Sequence, residues 1–225
     1  MLALVLSAVL NQTAVGSDAG RDASATAAKP VQTAAEVAAS RLALASMMRC
    51  VVNRSGYKVR KVLDLTVGGG GPQAPWAKLA DAGCLDAVGK SLTFAPSLMR
   101  GSIYLALYTQ DFGKTAPIAE FPVEPPVHYP VSEVASDGYG ALYRMAMSIA
   151  DCAVRKDPLG ARKVVLTEIA TDDERAGIRA FVPALSGCID AGNSLAMNSE
   201  VIKGIIAEAL YRLTAIKRDN HHAQG

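Results

Sequence analysis

The feature that most constrains this chain is an internal repeat. Residues 84–108 and residues 188–211 align along their whole length once Val88 is omitted, and 11 of the 24 aligned pairs are identical. The identical pairs include Cys84 with Cys188, together with aspartate, glycine and tyrosine positions. A repeat of this kind predicts two copies of one structural unit that pack side by side.

The similarity continues upstream of these segments and sets the limits of the two copies. Residues 60–62 and 162–164 both read Arg-Lys-Val, and they stand at the same distance from a preceding cysteine. We therefore expect module 1 at residues 38–109 and module 2 at residues 139–214. The remaining predicted segments are a signal peptide (1–16), a disordered lead-in (17–37), a proline-rich linker (110–138) and a polar tail (215–225).

The signal-peptide prediction depends on the apolar run of residues 1–10, whose length is typical of a signal-peptide core and too short to span a bilayer. Small residues then precede Ser17, where we expect cleavage, with a site near Ala23 to Ala25 as the alternative. No Lys or Arg precedes the run, so an upstream start, or a buried segment of similar composition, stays open. No other stretch approaches 18 apolar residues, and we expect no transmembrane segment in the mature chain.

Helical signals are clearest in module 2. Asp157 followed by Pro158 is an N-cap with proline at the first helical position, so it separates two helices. Thr171 and Glu174 form the pattern of a capping box and begin a third helix. Apolar residues recur at helical spacing over 199–214. Module 2 therefore predicts four helices.

Module 1 follows the same plan, with a shorter third helix that begins near Trp76. The predicted fold class is all-α, with two tandem four-helix modules that each contain one intramodule disulfide. A module of this size buries little apolar surface alone, so we expect the modules to pack through the apolar faces of their last helices. These faces carry Ile103, Leu107, Ile206 and Leu210.

Four cysteines permit three pairings. A duplicated module most simply duplicates its bond, so we expect Cys50 to pair with Cys84 and Cys152 with Cys188. Each such bond contributes about 4 kcal/mol by restricting the unfolded chain. A zinc site is the alternative, but it needs paired cysteines or nearby histidines, and the histidines lie in the linker and the tail (His128, His221 and His222). Disulfides also favour an extracytoplasmic location, periplasmic or secreted.

Polar residues that recur in both modules are the best candidates for ligand contacts. The sequence has no nucleophile elbow and no HExxH motif, so we predict no catalytic residue, no metal site and no cofactor. The candidate ligand-binding residues are Asp86, Arg100, Asp190 and Lys203. In the alternative interpretation each aspartate caps loop amides, and each basic residue lies on the solvated side of its helix.

The net charge of the chain does not indicate a class of binding partner. Lys and Arg number 23 against 21 for Asp and Glu, which leaves a net charge of +2. Nucleic-acid binding needs a stronger positive field, so we expect none. The partner is unknown from sequence, with another envelope protein as the expectation.

The duplicated pattern Cys-x-Val-x-(Arg/Lys), Cys-(Leu/Ile)-Asp-Ala and (Arg/Lys)-Gly-x-Ile-x-x-Ala-Leu-Tyr resembles uncharacterised exported bacterial proteins and covers about two thirds of the chain. The resemblance implies extracytoplasmic helical repeats and carries no activity. We therefore expect an exported, non-catalytic helical repeat protein with a partner-binding or cell-envelope role. A small-ligand or lipid carrier, or an enzyme with a site between the modules, is the alternative.

Overall fold

A computed structural model describes residues 32–65, 67, 79, 82–86, 96–121, 126–131, 138–190 and 196–222. Within these residues the chain is all-helical, with two disulfides in two regions, as the sequence predicts. We call residues up to 131 the N-terminal half and residues from 138 the C-terminal half. The helices are α1 (Ala34–Leu63), α2 (Ala82–Asp86), α3 (Pro96–Phe112), α4 (Gly138–Lys156), α5 (Pro158–Leu166), α6 (Asp172–Ser186) and α7 (Ser199–His222).

Helix α1 is one continuous element where the sequence predicts the end of a disordered lead-in followed by two helices. It begins inside the predicted lead-in because Thr33 and Glu36 form a capping box at its start. It bends at Ser55, whose φ of −138° and ψ of 31° are non-helical. The corresponding position of the C-terminal half is Asp157, which caps α5 by accepting a hydrogen bond from the backbone N of Gly160 at 2.8 Å. The same interruption therefore bends the chain in one half and divides two helices in the other.

Helix α6 begins as the sequence predicts and ends later. The Thr171 side chain accepts a hydrogen bond from the backbone N of Glu174 at 3.1 Å. We expected the helix to end near Phe181, before Pro183, but it continues to Ser186. That expectation is wrong: Pro183 lacks only its own N–H donor, and its carbonyl still accepts a hydrogen bond from Gly187 N at 3.0 Å.

Both predicted disulfides are confirmed. Cys50 of α1 bonds to Cys84 of α2, with Cα atoms 5.7 Å apart. Cys152 of α4 bonds to Cys188, just beyond α6, with Cα atoms 5.9 Å apart. Both Cα separations lie in the usual range for disulfides. Each bond thus ties the first helix of a half to the segment that leads into its last helix.

The two halves meet where α3 crosses α7. Ile103 and Leu107 of α3 and Ile206 and Leu210 of α7 are almost completely buried in one common core. Packing through the last helices is therefore as the sequence predicts. At a coefficient of about 25 cal/mol per Å² of buried apolar surface, such side chains are the main attraction between the halves.

Glycine makes the crossing of α3 and α7 close. A Cβ placed on Gly101 would lie 2.7 Å from the Cα of Gly204, and a Cβ placed on Gly204 would lie 3.0 Å from the Cα of Gly101. Real Cβ atoms essentially never show the first of these distances, and the second is tighter than nine in ten real Cβ contacts. Glycine in a helix interior costs about 1 kcal/mol relative to alanine, and here that cost allows two backbones to touch.

The described residues of the predicted linker pack against other parts of the protein. Phe121 is buried, and Glu120 O accepts a hydrogen bond from Lys217 Nζ at 2.6 Å. Val67 N donates to Pro130 O at 2.7 Å, beside a single bridge between Val67 and Val131. Helix α7 extends through most of the predicted polar tail, to His222.

Several predicted features fall outside the described residues. They are the signal peptide and its cleavage position, the lead-in up to residue 31, and the helix predicted near Trp76. Among the residues that the structure describes, no helix is long and apolar enough to cross a membrane.

Candidate functional site

Two of the four candidate ligand residues lie in the protein interior. Arg100 and Lys203 occupy equivalent places beside the glycines of the α3–α7 crossing, and both are almost fully buried. The alternative interpretation, in which they lie on the solvated side of their helices, is therefore wrong. Asp190 is exposed, and the side chain of Asp86 lies outside the described residues. Of the three candidates whose side chains the structure describes, two are interior cations and one is a surface carboxylate.

Arg100 is fixed by a carboxylate from the other half. Its Nε donates to Glu208 Oε2 at 2.9 Å, and its Nη2 donates to Glu208 Oε1 at 2.7 Å. Nη2 also donates to Leu63 O, at the end of α1, at 3.0 Å. Burial opposes the charged form, but the attraction of Glu208 outweighs it and raises the pKa of Arg100 above its ordinary value. Arg100 is therefore a permanent internal cation.

Glu208 is the centre of this polar network. Besides Arg100, its Oε1 accepts hydrogen bonds from the Tyr143 hydroxyl at 2.7 Å and from Arg212 Nε at 3.1 Å. Arg212 also donates to the Tyr104 hydroxyl at 2.6 Å. The guanidinium of Arg100 lies over the rings of Tyr104 and Tyr143, within 5.5 Å of each centroid. We call Arg100, Tyr104, Tyr143, Glu208 and Arg212 the Glu208 network.

The tyrosines of this network stay neutral. Burial is the largest cause that raises the pKa of Tyr104 and of Tyr143, and the nearby negative charge of Glu208 raises both further. Tyr129 has a raised pKa for the same first reason, and it donates a hydrogen bond to Asp151 Oδ1 at 3.2 Å. A phenol with a raised pKa is a hydrogen-bond donor and a poor base. At neutral pH these phenols are therefore protonated.

Lys203 belongs to a second ionic cluster. Its Nζ donates to Glu174 Oε1 at 3.1 Å and to Thr167 O, at the end of α5, at 2.5 Å. Arg41 of α1 binds the same carboxylate through two hydrogen bonds of 2.8 and 2.9 Å. Glu174 also accepts a hydrogen bond from Ala170 N at 2.9 Å. We call Arg41, Glu174 and Lys203 the Glu174 cluster.

Opposing causes set the charges of this cluster. Burial raises the pKa of Glu174, but the hydrogen bonds from Arg41 and Ala170 and the charge of Lys203 outweigh it, so the pKa lies below its ordinary value. Burial lowers the pKa of Lys203, and Glu174 offsets only part of that effect. Nearby Glu200 has a raised pKa because of its own burial. The cluster therefore keeps Glu174 ionised by means of cations from both halves.

Sequence reasoning missed the acidic partners. It assigned Glu174 only to a capping box, whereas its carboxylate bonds to Ala170 N and to two cations. It did not single out Glu208. A signal was present, because Glu208 of the second copy aligns with apolar Leu105 of the first. A charge that replaces an apolar position in a repeat indicates a partner for it elsewhere in the core.

The outward face of α4 carries three exposed apolar residues. Tyr139, Leu142 and Met145 follow one another at helical spacing and are 40%, 50% and 44% exposed. The exposed side of a helix in a globular protein is normally polar. We call these three residues the α4 face.

Among the described residues, no three His, Cys, Asp or Glu side chains are grouped so that they could hold a metal ion. The chain matches no protein-family model, no curated protein and no solved structure.

Proposed function

We propose that this chain is an exported, non-catalytic protein that binds another protein of the cell envelope through the α4 face. The observation that carries the proposal is the exposure of Leu142 and Met145 on the outward side of a helix whose opposite side is buried. Apolar side chains that are exposed together on one helix face favour an interaction site. The partner contributes an apolar surface of its own, because only such a surface gains free energy by covering these side chains.

The interior arrangement favours this proposal over a ligand carrier. Arg100 and Lys203 are both engaged by carboxylates of the chain itself. The crossing beside them is closed by contact between Gly101 and Gly204. A ligand at this crossing would have to displace buried ion pairs, and breaking such a pair is costly.

Two features support export. All four cysteines form disulfides, which persist in oxidising compartments and are rare in the cytosol. The apolar run of residues 1–10 also has the length of a signal-peptide core. The resemblance of the duplicated module to exported bacterial proteins also supports export.

Site-specific photo-crosslinking in the native host tests the binding face. A photoreactive amino acid is placed at Leu142, at Met145 or, as a control, at Arg179, which is exposed on α6. We expect one discrete adduct from positions 142 and 145 and none from position 179. A Leu142→Glu substitution should abolish the adduct from position 145, because a carboxylate at the centre of the face cannot be buried without a partner.

Equal adducts from all three positions, or none from positions 142 and 145, would contradict the proposal. So would an adduct from position 145 that persists in Leu142→Glu. A small molecule that copurifies with the intact protein and is detected by native mass spectrometry would instead favour the carrier interpretation.

A further inference from the structure

The contacts between the two halves are reciprocal. Gly101 of the N-terminal half faces Gly204 of the C-terminal half, and these two residues are equivalent in the sequence alignment. A position that contacts its own equivalent lies on the axis of a two-fold arrangement. In such an isologous interface, if residue i of one unit contacts residue j of the other, then j also contacts i.

A second set of contacts obeys the same rule. Arg162 of the C-terminal half donates from Nη1 to the Tyr108 hydroxyl at 2.9 Å. The equivalent pair is Arg60 and Tyr211, which both donate to Asp111 Oδ2, at 2.6 and 2.8 Å. Each half thus places an arginine of its second helical segment at the tyrosine that the other half carries on its last helix.

We propose that the surface with which the C-terminal half contacts the N-terminal half also fits a second copy of the C-terminal half. In that pair Gly204 faces its own equivalent, and Arg162 faces Tyr211 of the other copy. The apolar side chains of Ile206 and Leu210 cover each other as they now cover their equivalents in α3. The interaction surface is α7, and its second partner is the same half from another chain.

Charge decides which half can pair with itself. Glu208 binds Arg100 across the native interface, and Lys203 stands at the position equivalent to Arg100. Two C-terminal halves therefore bring Glu208 opposite Lys203. In that pair Glu174 loses Arg41 but keeps Lys203, and Glu208 keeps Arg212 of its own half. Two N-terminal halves instead bring Arg100 opposite Leu105, since Leu105 is the equivalent of Glu208. A buried guanidinium without a carboxylate is unfavourable, so the N-terminal half does not pair with itself.

The test begins with the full chain, which carries an N-terminal affinity tag and a protease site within residues 132–137. The folded protein is cleaved there and unfolded in guanidinium with both disulfides intact. Part of the tagged N-terminal halves is then removed, so that C-terminal halves are in molar excess, and the mixture is refolded by dilution. Native mass spectrometry counts the species, and the heterodimer of halves in the same tube is the refolding control.

We expect the heterodimer together with a species of twice the mass of the C-terminal half. Excess C-terminal halves that remain monomeric or precipitate while the heterodimer forms would overturn the proposal. The variant Leu105→Glu supplies the missing carboxylate to the N-terminal half. With N-terminal halves in excess, this variant should form their homodimer and the unsubstituted chain should not; equal behaviour of the two chains would also overturn the proposal.

Discussion

Arg100 and Glu208 form a two-point ion pair that joins α3 to α7, with donor-to-acceptor distances of 2.9 and 2.7 Å. Both side chains are at most 4% exposed. The pair links the halves beside the close approach of Gly101 and Gly204. Its role in stability can be separated from its role in specificity by mutation.

Glu208→Leu should lower the free energy of unfolding by about 3 to 5 kcal/mol, because it leaves Arg100 buried without a counter-charge. The double variant Arg100→Met with Glu208→Leu should lose less than the single variant, since it removes both charges. Guanidinium unfolding followed by circular dichroism measures both. If the double variant were as unstable as the single one, the cost would come from lost packing and not from an unpaired cation.

Gly101→Ala should destabilise the protein by roughly 1 to 3 kcal/mol, because its Cβ meets the backbone of Gly204. This loss outweighs the helix propensity that alanine gains over glycine. Gly177→Ala in α6 is the matched control, since a Cβ there makes only ordinary contacts of 3.7 Å or more. The control should be neutral or up to about 1 kcal/mol more stable. Equal effects at the two positions would refute the close crossing.

Glu174 makes the free energy of unfolding depend on pH in the acidic range. Its pKa in the folded protein lies below the ordinary value of 4.5, so its contribution is fully present above 4.5 and is lost as the pH falls through the folded-state pKa. Glu174→Gln should flatten the acid limb of a plot of unfolding free energy against pH.

Glu200 is the control of opposite sign. Burial raises its pKa in the folded protein, so its contribution is present below the unfolded-state pKa and is lost as the pH rises through the folded-state value. Glu200→Gln should therefore make the dependence on acid steeper. A Glu174→Gln variant with an unchanged acid limb would show that the Glu174 cluster does not control it.

How much of this structure the sequence predicts depends on the range of each interaction. The disulfides follow from the repeat, because a pattern of four cysteines in two equivalent modules favours one bond in each. The caps at Asp157 and Thr171 follow from local chemistry, since the side chain and the amide that it accepts from are three residues apart. Interactions between residues close in sequence, or repeated in two copies of a module, can therefore be predicted from the sequence.

The ion pairs of the two clusters cannot be predicted from the sequence in the same way. Arg41 and Glu174 are separated by 133 residues, and Arg100 and Glu208 by 108. Each pair joins the two halves and exists only after they dock. The burial of Arg100 could not be inferred from its own surroundings, because a basic residue on a helix is normally solvated. Only the exchange of Leu105 for Glu208 between the copies indicated an internal partner.

Removing one disulfide by Cys152→Ala with Cys188→Ala should lower the free energy of unfolding by about 4 kcal/mol, the chain-entropy value for a loop of this length. Guanidinium unfolding followed by circular dichroism measures the loss.

The oxidation state of the four cysteines indicates the compartment in which the protein is located. Alkylation of native cells without reductant should leave all four cysteines unmodified in the mature protein. Rapid alkylation under these conditions would contradict export to an oxidising compartment.

Binding through the α4 face is the central claim, and the affinity of the crosslinked partner for purified variants tests it most directly. Leu142→Glu should weaken binding by about 30-fold or more, the size of a hot-spot loss of 2 kcal/mol. Ala180→Glu, on the exposed side of α6, should bind like the unsubstituted protein. Isothermal titration of the three proteins decides the matter: equal affinity for Leu142→Glu and Ala180→Glu would contradict the account.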